Sequence, residues 1–193
     1  MTEEYESVDL VADDTVRNLA AAAVLAALTA ALAQLSIPIP SVGVPFSLQP
    51  FGSFFAGLLL GPVWGGFAMA LYLVAGTAGA PVFANGAAGI GQFGGRTGGF
   101  LVGFLLGAVV TGAITHRQVA PRSLDDISVP VQLVGLFAGL AVVYAVGVPW
   151  MAEVLGISVR AAAAAMAPFF PPDVVKVFVT VGVVEGGHLA IRE

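Results

Sequence analysis

Residues 168–176 read Pro-Phe-Phe-Pro-Pro-Asp-Val-Val-Lys and open the last long apolar segment of the chain. Proline is tolerated in the first turn of a helix, where its missing N–H has no partner to lose, so Pro171 and Pro172 predict a helix start. Asp173 then lies where the helix dipole favours an anion. Lys176 follows three residues later and shares a helical face with Asp173. Charges at the end of a membrane helix are costly and indicate a functional site, although a salt bridge that only caps the helix is the alternative.

Apolar residues dominate the composition. Of the 193 residues, 58% are hydrophobic and only 10% are charged, and the mean hydropathy is +0.96. Soluble domains carry about 25% charged residues, and several nearly charge-free stretches here approach or reach the roughly 20 residues that span a bilayer. These values predict an all-α polytopic protein of the cell membrane, embedded in the lipid bilayer.

Cysteine is absent and histidine is rare, which limits the chemistry that the chain can perform. The lack of cysteine excludes disulfides, thiolate nucleophiles and thiolate metal sites. His116 and His188 are far apart and form no metal-ligand spacing. An intramembrane enzyme would need a nucleophile with a base or a metal pair, so no enzyme, metal or cofactor is expected, and no nucleic acid partner either.

Acidic residues are concentrated at the start of the chain. Six of the twelve acids lie in the first fourteen residues, a composition typical of disordered segments. We therefore expect residues 1–16 to form a disordered acidic tail and residues 17–193 to form a single membrane domain.

Six apolar segments can be separated by their proline, glycine and polar breaks. Gly61-Pro62 predicts a helix stop followed at once by a restart. The region 149–170, which contains Trp150, predicts a short helix on the membrane surface. The six segments are 17–36, 51–60, 62–78, 98–115, 129–148 and 172–190. They predict a bundle of six transmembrane helices with ordered outer loops.

An even number of crossings places both ends of the chain on one side of the membrane. Four arginines fall on that side, against two arginines and one lysine on the other. The positive-inside rule then predicts cytoplasmic N- and C-termini. The irregular loops 37–50, 79–99 and 149–171 all emerge on the outer side, where they can converge on one outward-facing pocket.

The residues expected to line this pocket are aromatic groups and a few polar groups. The aromatic ones are Phe46, Phe83, Phe93, Phe169 and Phe170, and the polar ones are Ser47, Gln49, Asn85, Arg96, Asp173 and Lys176. An apolar cavity with a few placed polar groups is how small-molecule sites are built. Arg96 and Lys176 suit a carboxylate, whereas Asn85 and Asp173 can accept hydrogen bonds from an amide or urea. The expected ligand is a small, partly apolar acid with a hydrogen-bonding head.

The first segment carries two stripes of alanine at four-residue spacing. One consists of Ala22, Ala26 and Ala30, and the other of Ala23, Ala27 and Ala31. Small residues at this spacing let another helix approach closely. The stripe either packs inside the bundle or docks on a partner membrane protein, and the spacing alone does not decide between these alternatives.

Five motifs together resemble those of the BioY family, the biotin-binding S components of energy-coupling factor (ECF) transporters. The resemblance spans about residues 17–190. The motifs are Val44-Pro-Phe-Ser-Leu-Gln49, Ala56-Gly-Leu-Leu-Leu-Gly-Pro62, Pro81-Val-Phe-Ala-Asn-Gly86, Thr97-Gly-Gly-Phe100 and Pro168-Phe-Phe-Pro-Pro-Asp-Val-Val-Lys176.

The resemblance implies high-affinity capture of biotin from outside by a six-helix bundle. It implies docking on a transmembrane coupling protein driven by two ABC ATPases, with Ala22, Ala26 and Ala30 in contact with the coupling protein. By motif, Asn85 and Asp173 would hold the ureido ring, and Arg96 and Lys176 would favour the carboxylate. ATP would be hydrolysed by the partner subunits, since this sequence contains no GxxxxGK[ST] phosphate-binding loop.

Three other functions remain open from the sequence. The chain can be an S component for another small carboxylate vitamin, a biotin facilitator that works without ATPases, or a structural membrane subunit without a ligand. A structural subunit would explain the alanine stripes but not the polar outer loops.

Overall fold

The computed structural model describes residues 13–40 and 42–192, and its architecture is all-α apart from one pair of two-residue strands. The elements are α1 (Asp13–Gln34), β1 (Ser36–Ile37), β2 (Phe46–Ser47), α2 (Gln49–Thr77), α3 (Gly98–His116), α4 (Val129–Leu155), α5 (Val159–Met166) and α6 (Phe170–Arg192). The strands β1 and β2 pair antiparallel and close the loop between α1 and α2.

Five helical stretches are long and apolar enough to cross a membrane. They are Asp14–Gln34, Gln49–Thr77, Gly98–His116, Val129–Leu155 and Val159–Gly187. This finding confirms the predicted all-α membrane class. Helix α1 begins at Asp13, four residues before the predicted boundary of the membrane domain. The predicted disorder of residues 1–12 concerns positions outside the described ones.

Helix α2 folds back on itself at Gly61. The backbone leaves the helical conformation only there, with φ 73° and ψ −173°, and Pro62 begins the second half. A Cβ added at Gly65 would lie 2.5 Å from the carbonyl oxygen of Ala56, although nine residues of straight helix span about 13 Å. The predicted stop and restart at Gly61-Pro62 is therefore confirmed, and residues 49–60 and 62–77 form an antiparallel helical hairpin.

Small residues allow the central helices to pack closely. A Cβ added at Gly107 on α3 would lie 3.0 Å from the carbonyl oxygen of Gly139 on α4. A group of buried apolar side chains joins α2, α4 and α6. Its members are Phe54, Leu58, Leu136, Leu140, Val177, Val181 and Val184. Lipid provides no hydrophobic driving force between helices. Close packing of this kind is therefore a main source of stability for helix association in a membrane.

His116 fastens the end of the bundle where α2 reverses. Its Nδ1 accepts the backbone N–H of Arg122 at 2.9 Å, and its Nε2 lies 2.9 Å from the carbonyl oxygen of Leu58. Since a neutral imidazole that accepts at one nitrogen donates at the other, His116 donates to Leu58. The side chain is fully buried and connects the α2 hairpin to the loop between α3 and α4.

Two predicted boundaries in the second half of the chain are wrong. Helix α4 does not end at residue 148 but continues through Pro149 to Leu155. An internal proline is tolerated in membrane helices because neighbouring groups can satisfy the freed carbonyl. Of the region 149–170, in which a single surface helix was predicted, residues 149–155 belong to α4 and Val159–Met166 form α5. Trp150 therefore lies on α4, where it packs on Gly99 of α3.

Candidate ligand-binding site

A cavity of about 390 Å³ opens at the end of the bundle away from His116. Small-molecule sites typically occupy 300–1,000 Å³. The three irregular segments that the sequence singled out all contribute to its wall. Nine of the eleven residues predicted to line a pocket line this cavity, and they are Phe46, Ser47, Gln49, Phe83, Asn85, Arg96, Phe169, Asp173 and Lys176. The prediction is wrong for Phe93, which packs on Phe83, and for Phe170, which packs on Tyr144. The structure brings the nine together from β2, the starts of α2 and α6, the loop between α2 and α3, and the turn before α6.

An ion pair between Asp173 and Lys176 forms the buried part of the site. Lys176 Nζ lies 2.7 Å from Asp173 Oδ1, and the two side chains are only 6% and 11% exposed for Lys176 and Asp173 respectively. The ammonium also donates to the carbonyl oxygen of Ser47 at 2.7 Å and lies 4.4 Å from the centre of the Phe46 ring. Burying two charges is favourable only when both are paired and hydrogen-bonded, and this arrangement meets that requirement for Lys176.

Tyr144 on α4 completes the partners of the carboxylate. Its hydroxyl donates to Asp173 Oδ2 at 2.8 Å. Both oxygens of Asp173 are therefore engaged, one by the ammonium of Lys176 and the other by a phenol. This arrangement fixes the orientation of the carboxylate within the cavity before any ligand enters.

A second chain of hydrogen bonds joins the two loops that form the cavity wall. Ser47 Oγ donates to Gln49 Oε1 at 3.0 Å, and Gln49 Nε2 donates to the hydroxyl of Tyr72 at 2.6 Å. That hydroxyl in turn donates to the carbonyl oxygen of Val82 at 3.2 Å. The fully buried Tyr72 thus holds both loops against α2.

Asn85 and Arg96 lie at the exposed rim of the cavity. Asn85 adopts a left-handed conformation, with φ 58°, and its Oδ1 accepts a hydrogen bond from Ser36 Oγ at 2.9 Å. Arg96 extends over Gly43 and donates from Nη1 to the carbonyl oxygen of Val42 at 3.2 Å. Among residues 13–40 and 42–192 no ion pair involves Arg96, so its guanidinium is available at the mouth of the cavity.

The sequence interpretation missed the residues that line the cavity from within helices α2 to α5. They include Phe54, Phe100, Leu101, Phe104, Leu140, Val143, Tyr144 and Met166. Most are apolar residues in continuously apolar segments, where no periodicity indicates the inner face. Tyr144 carried a usable signal, because no other residue between 131 and 148 has a hydroxyl group.

Comparison with known protein families identifies the family to which this chain belongs. The family model described as the BioY family matches residues 2–193. The chain belongs to the BioY family. This membership confirms the resemblance that the motifs indicated, and it identifies a transporter family rather than an enzyme family.

Relatives from several organisms support the assignment to the BioY family. The biotin transporter BioY of Rhodobacter capsulatus is 39% identical over 178 residues, which cover 85% of this chain and 89% of the relative. The biotin transporter BioY of Rhizobium etli is 34% identical over 165 residues, which cover 84% and 88%. The crystal structure of the S-component for biotin from an ECF-type ABC transporter superposes with a TM-score of 0.81 at 27% identity, covering 91% of this chain and 92% of the other.

The alanine stripe that the resemblance expects to dock on a partner lies towards the core of the bundle in this structure. Ala22 is fully buried, and Ala26 and Ala30 pack against the core. This stripe therefore packs inside the bundle, which is the first of the two alternatives. The neighbouring stripe of Ala23, Ala27 and Ala31 is exposed, because a shift of one residue rotates the helical face by about 100°.

Proposed function

We propose that this chain is the S component that captures biotin with high affinity and delivers it for uptake by an ECF-type ABC transporter. The observation that carries the proposal is the cavity with its buried Asp173–Lys176 pair, in a chain of the BioY family whose relatives are named as biotin transporters. Biotin is a small, partly apolar acid with a urea head, which is the ligand chemistry that the lining residues favour.

The charges suggest how biotin is oriented. Asp173 and Lys176 neutralise one another, so the buried part of the cavity favours an uncharged polar group such as the urea. Arg96 has no acidic partner among the described residues and lies at the rim, where it favours the carboxylate. We assign the urea to Asp173 and the carboxylate to Arg96. The pairing of Asn85 with the urea and of Lys176 with the carboxylate that the resemblance implied is not retained, because Asn85 lies at the rim and Lys176 is buried against Asp173. Phe46, Ser47, Gln49 and Phe83 complete the wall.

Binding of biotin is tested by calorimetry on the purified protein in detergent, beside the variants Asp173→Asn and Lys176→Ala. Removing one partner of a buried charge pair weakens binding by about 2–5 kcal/mol. Saturable binding of one biotin that both variants weaken supports the proposal. If folded wild-type protein binds other small carboxylates but not biotin, the ligand is another small carboxylate vitamin.

The proposed arrangement in the membrane has six crossings, because the α2 hairpin contributes two, and has cytoplasmic N- and C-termini. The natural chain lacks cysteine, so a single added cysteine reports its own side without a background. Cysteine placed at Gln118, between α3 and α4, is expected to react only with reagents that enter the cytoplasm, whereas cysteine at Ile90 reacts from outside. The reverse labelling pattern would show that the topology is opposite to the proposed one.

The proposed energy source is a pair of ABC ATPases acting through a transmembrane coupling protein. We transfer the docking role from Ala22, Ala26 and Ala30 to the exposed stripe of Ala23, Ala27 and Ala31. Uptake in cells that lack the coupling protein and ATPases is the decisive comparison. Biotin uptake that persists at the same rate without them would favour a stand-alone facilitator.

A further inference from the structure

Tyr144 is placed to contact the ligand as well as Asp173. Its side chain lines the cavity together with Asp173 and Lys176. The ring packs edge-on against Phe100 and Phe170, with ring centres 6.2 Å and 5.7 Å apart. These contacts on two sides restrict the ring, so the position of the hydroxyl is set before a ligand arrives.

The hydrogen-bond direction at Tyr144 determines what the hydroxyl can still accept. Its single proton is donated to Asp173 Oδ2 at 2.8 Å. A phenol has one donor and can also accept, and no other hydrogen bond to this oxygen occurs within residues 13–40 and 42–192. Towards the cavity, Tyr144 is therefore an acceptor only. Asp173, a carboxylate with about four acceptor positions, also retains capacity beyond its bonds to Lys176 and Tyr144.

We propose that Tyr144 and Asp173 together accept a single N–H group from the urea of the ligand, because their oxygens lie only 2.8 Å apart, which makes Tyr144 a determinant of specificity for cyclic ureas. The inference rests on the proposed function, since it names the partner of one urea N–H in the same cavity. A site built to pair with an N–H discriminates strongly against a ligand that lacks it, because the acceptor is then left buried and unpaired.

The test measures three ligands by calorimetry on three proteins. The ligands are biotin and its two mono-N-methyl derivatives, each of which lacks a different urea N–H. The proteins are the wild type, Tyr144→Phe and Tyr72→Phe. Tyr72→Phe is the matched control, because Tyr72 also loses a hydroxyl with a hydrogen-bonded partner but does not line the cavity.

Tyr144→Phe is expected to weaken biotin binding by about tenfold, the factor that corresponds to one ordinary hydrogen bond. For one N-methyl derivative the same substitution causes no further loss, and for the other the tenfold loss persists. Tyr72→Phe changes the affinity for all three ligands by the same factor.

Two results overturn the inference. If wild-type protein binds biotin and Tyr144→Phe weakens all three ligands equally, or none of them, Tyr144 only supports the fold or the carboxylate. If wild-type protein that is folded by circular dichroism binds no biotin, the proposed function fails and this inference fails with it. The first result leaves the proposed function intact.

Discussion

The amide nitrogen of Gln49 lies 2.6 Å from the hydroxyl oxygen of Tyr72, although 23 residues of one helical element separate them. A straight helix would hold them about 34 Å apart. The contact exists because α2 reverses at Gly61, and it joins the wall of the ligand cavity to the second half of the hairpin. The reversal is thus a requirement of the binding site as well as of the fold.

Gly65→Val is expected to destabilise the hairpin. The added side chain would meet the backbone of Ala56 and Gly57, and overpacking of this kind costs about 1–3 kcal/mol. We expect a lower apparent melting temperature in detergent. Gly182→Ala is the control, because a Cβ added there has no neighbour within 4 Å; equal melting temperatures for the two variants would contradict the tight reversal.

Lys176→Met is expected to destabilise the protein and abolish tight binding. It leaves the buried Asp173 carboxylate without its cation, and breaking a buried pair costs about 3–5 kcal/mol. The double variant Asp173→Asn/Lys176→Met removes the unpaired charge. It should recover most of the lost melting temperature while biotin binding stays weak. A double variant as unstable as the single one would show that lost packing, and not the unpaired charge, causes the destabilisation.

Arg96→Gln is expected to weaken the binding of biotin by at most about fivefold and to leave the binding of its primary amide unaffected, because an exposed charge pair contributes at most about 1 kcal/mol. Calorimetry at two salt concentrations checks this, since the wild-type advantage should shrink as salt screens the pair. Arg160→Gln, an exposed arginine outside the cavity, serves as the control. Equal losses of affinity for biotin and for its amide would show that Arg96 does not bind the carboxylate.

Ala27→Trp is expected to block assembly with the coupling protein while isolated protein still binds biotin, because Ala27 is exposed on α1. Ala22→Trp should instead lower the melting temperature, since Ala22 is fully buried. Co-purification with the coupling protein and calorimetry separate the two effects. Normal assembly of Ala27→Trp would place the docking surface elsewhere.

The loops of the site were predictable, and the helical faces were not. Residues such as Asp173, Lys176 and Asn85 stand out because polar groups and prolines interrupt an apolar sequence, and all of them line the cavity. Tyr144 was missed because an apolar helix buried on several sides shows no periodicity that indicates its inner face.

Two features could not be predicted for the same physical reason, namely that local sequence does not determine tertiary contacts. Ala22 and Ala23 begin stripes of equal size, and only packing against α2 decides which stripe is buried. Similarly, Pro149 is compatible with a helix end and with a continuous α4. In contrast, the helix stop and restart at Gly61-Pro62 was predicted correctly, because a positive φ at glycine followed by proline depends on the local residues alone.

Because α2 turns back, the first residues of α1 and the last residues of α6 lie at the end of the bundle where His116 sits, and the cavity opens at the other. Helix α1, with its 22 residues, separates the two ends by about 33 Å. A fluorescent label attached at the start of α1 or near the end of α6 would consequently stand clear of the ligand. Labels at these two positions would lie at the same end of the bundle, so energy transfer between them would report whether the bundle is assembled without disturbing the mouth of the cavity.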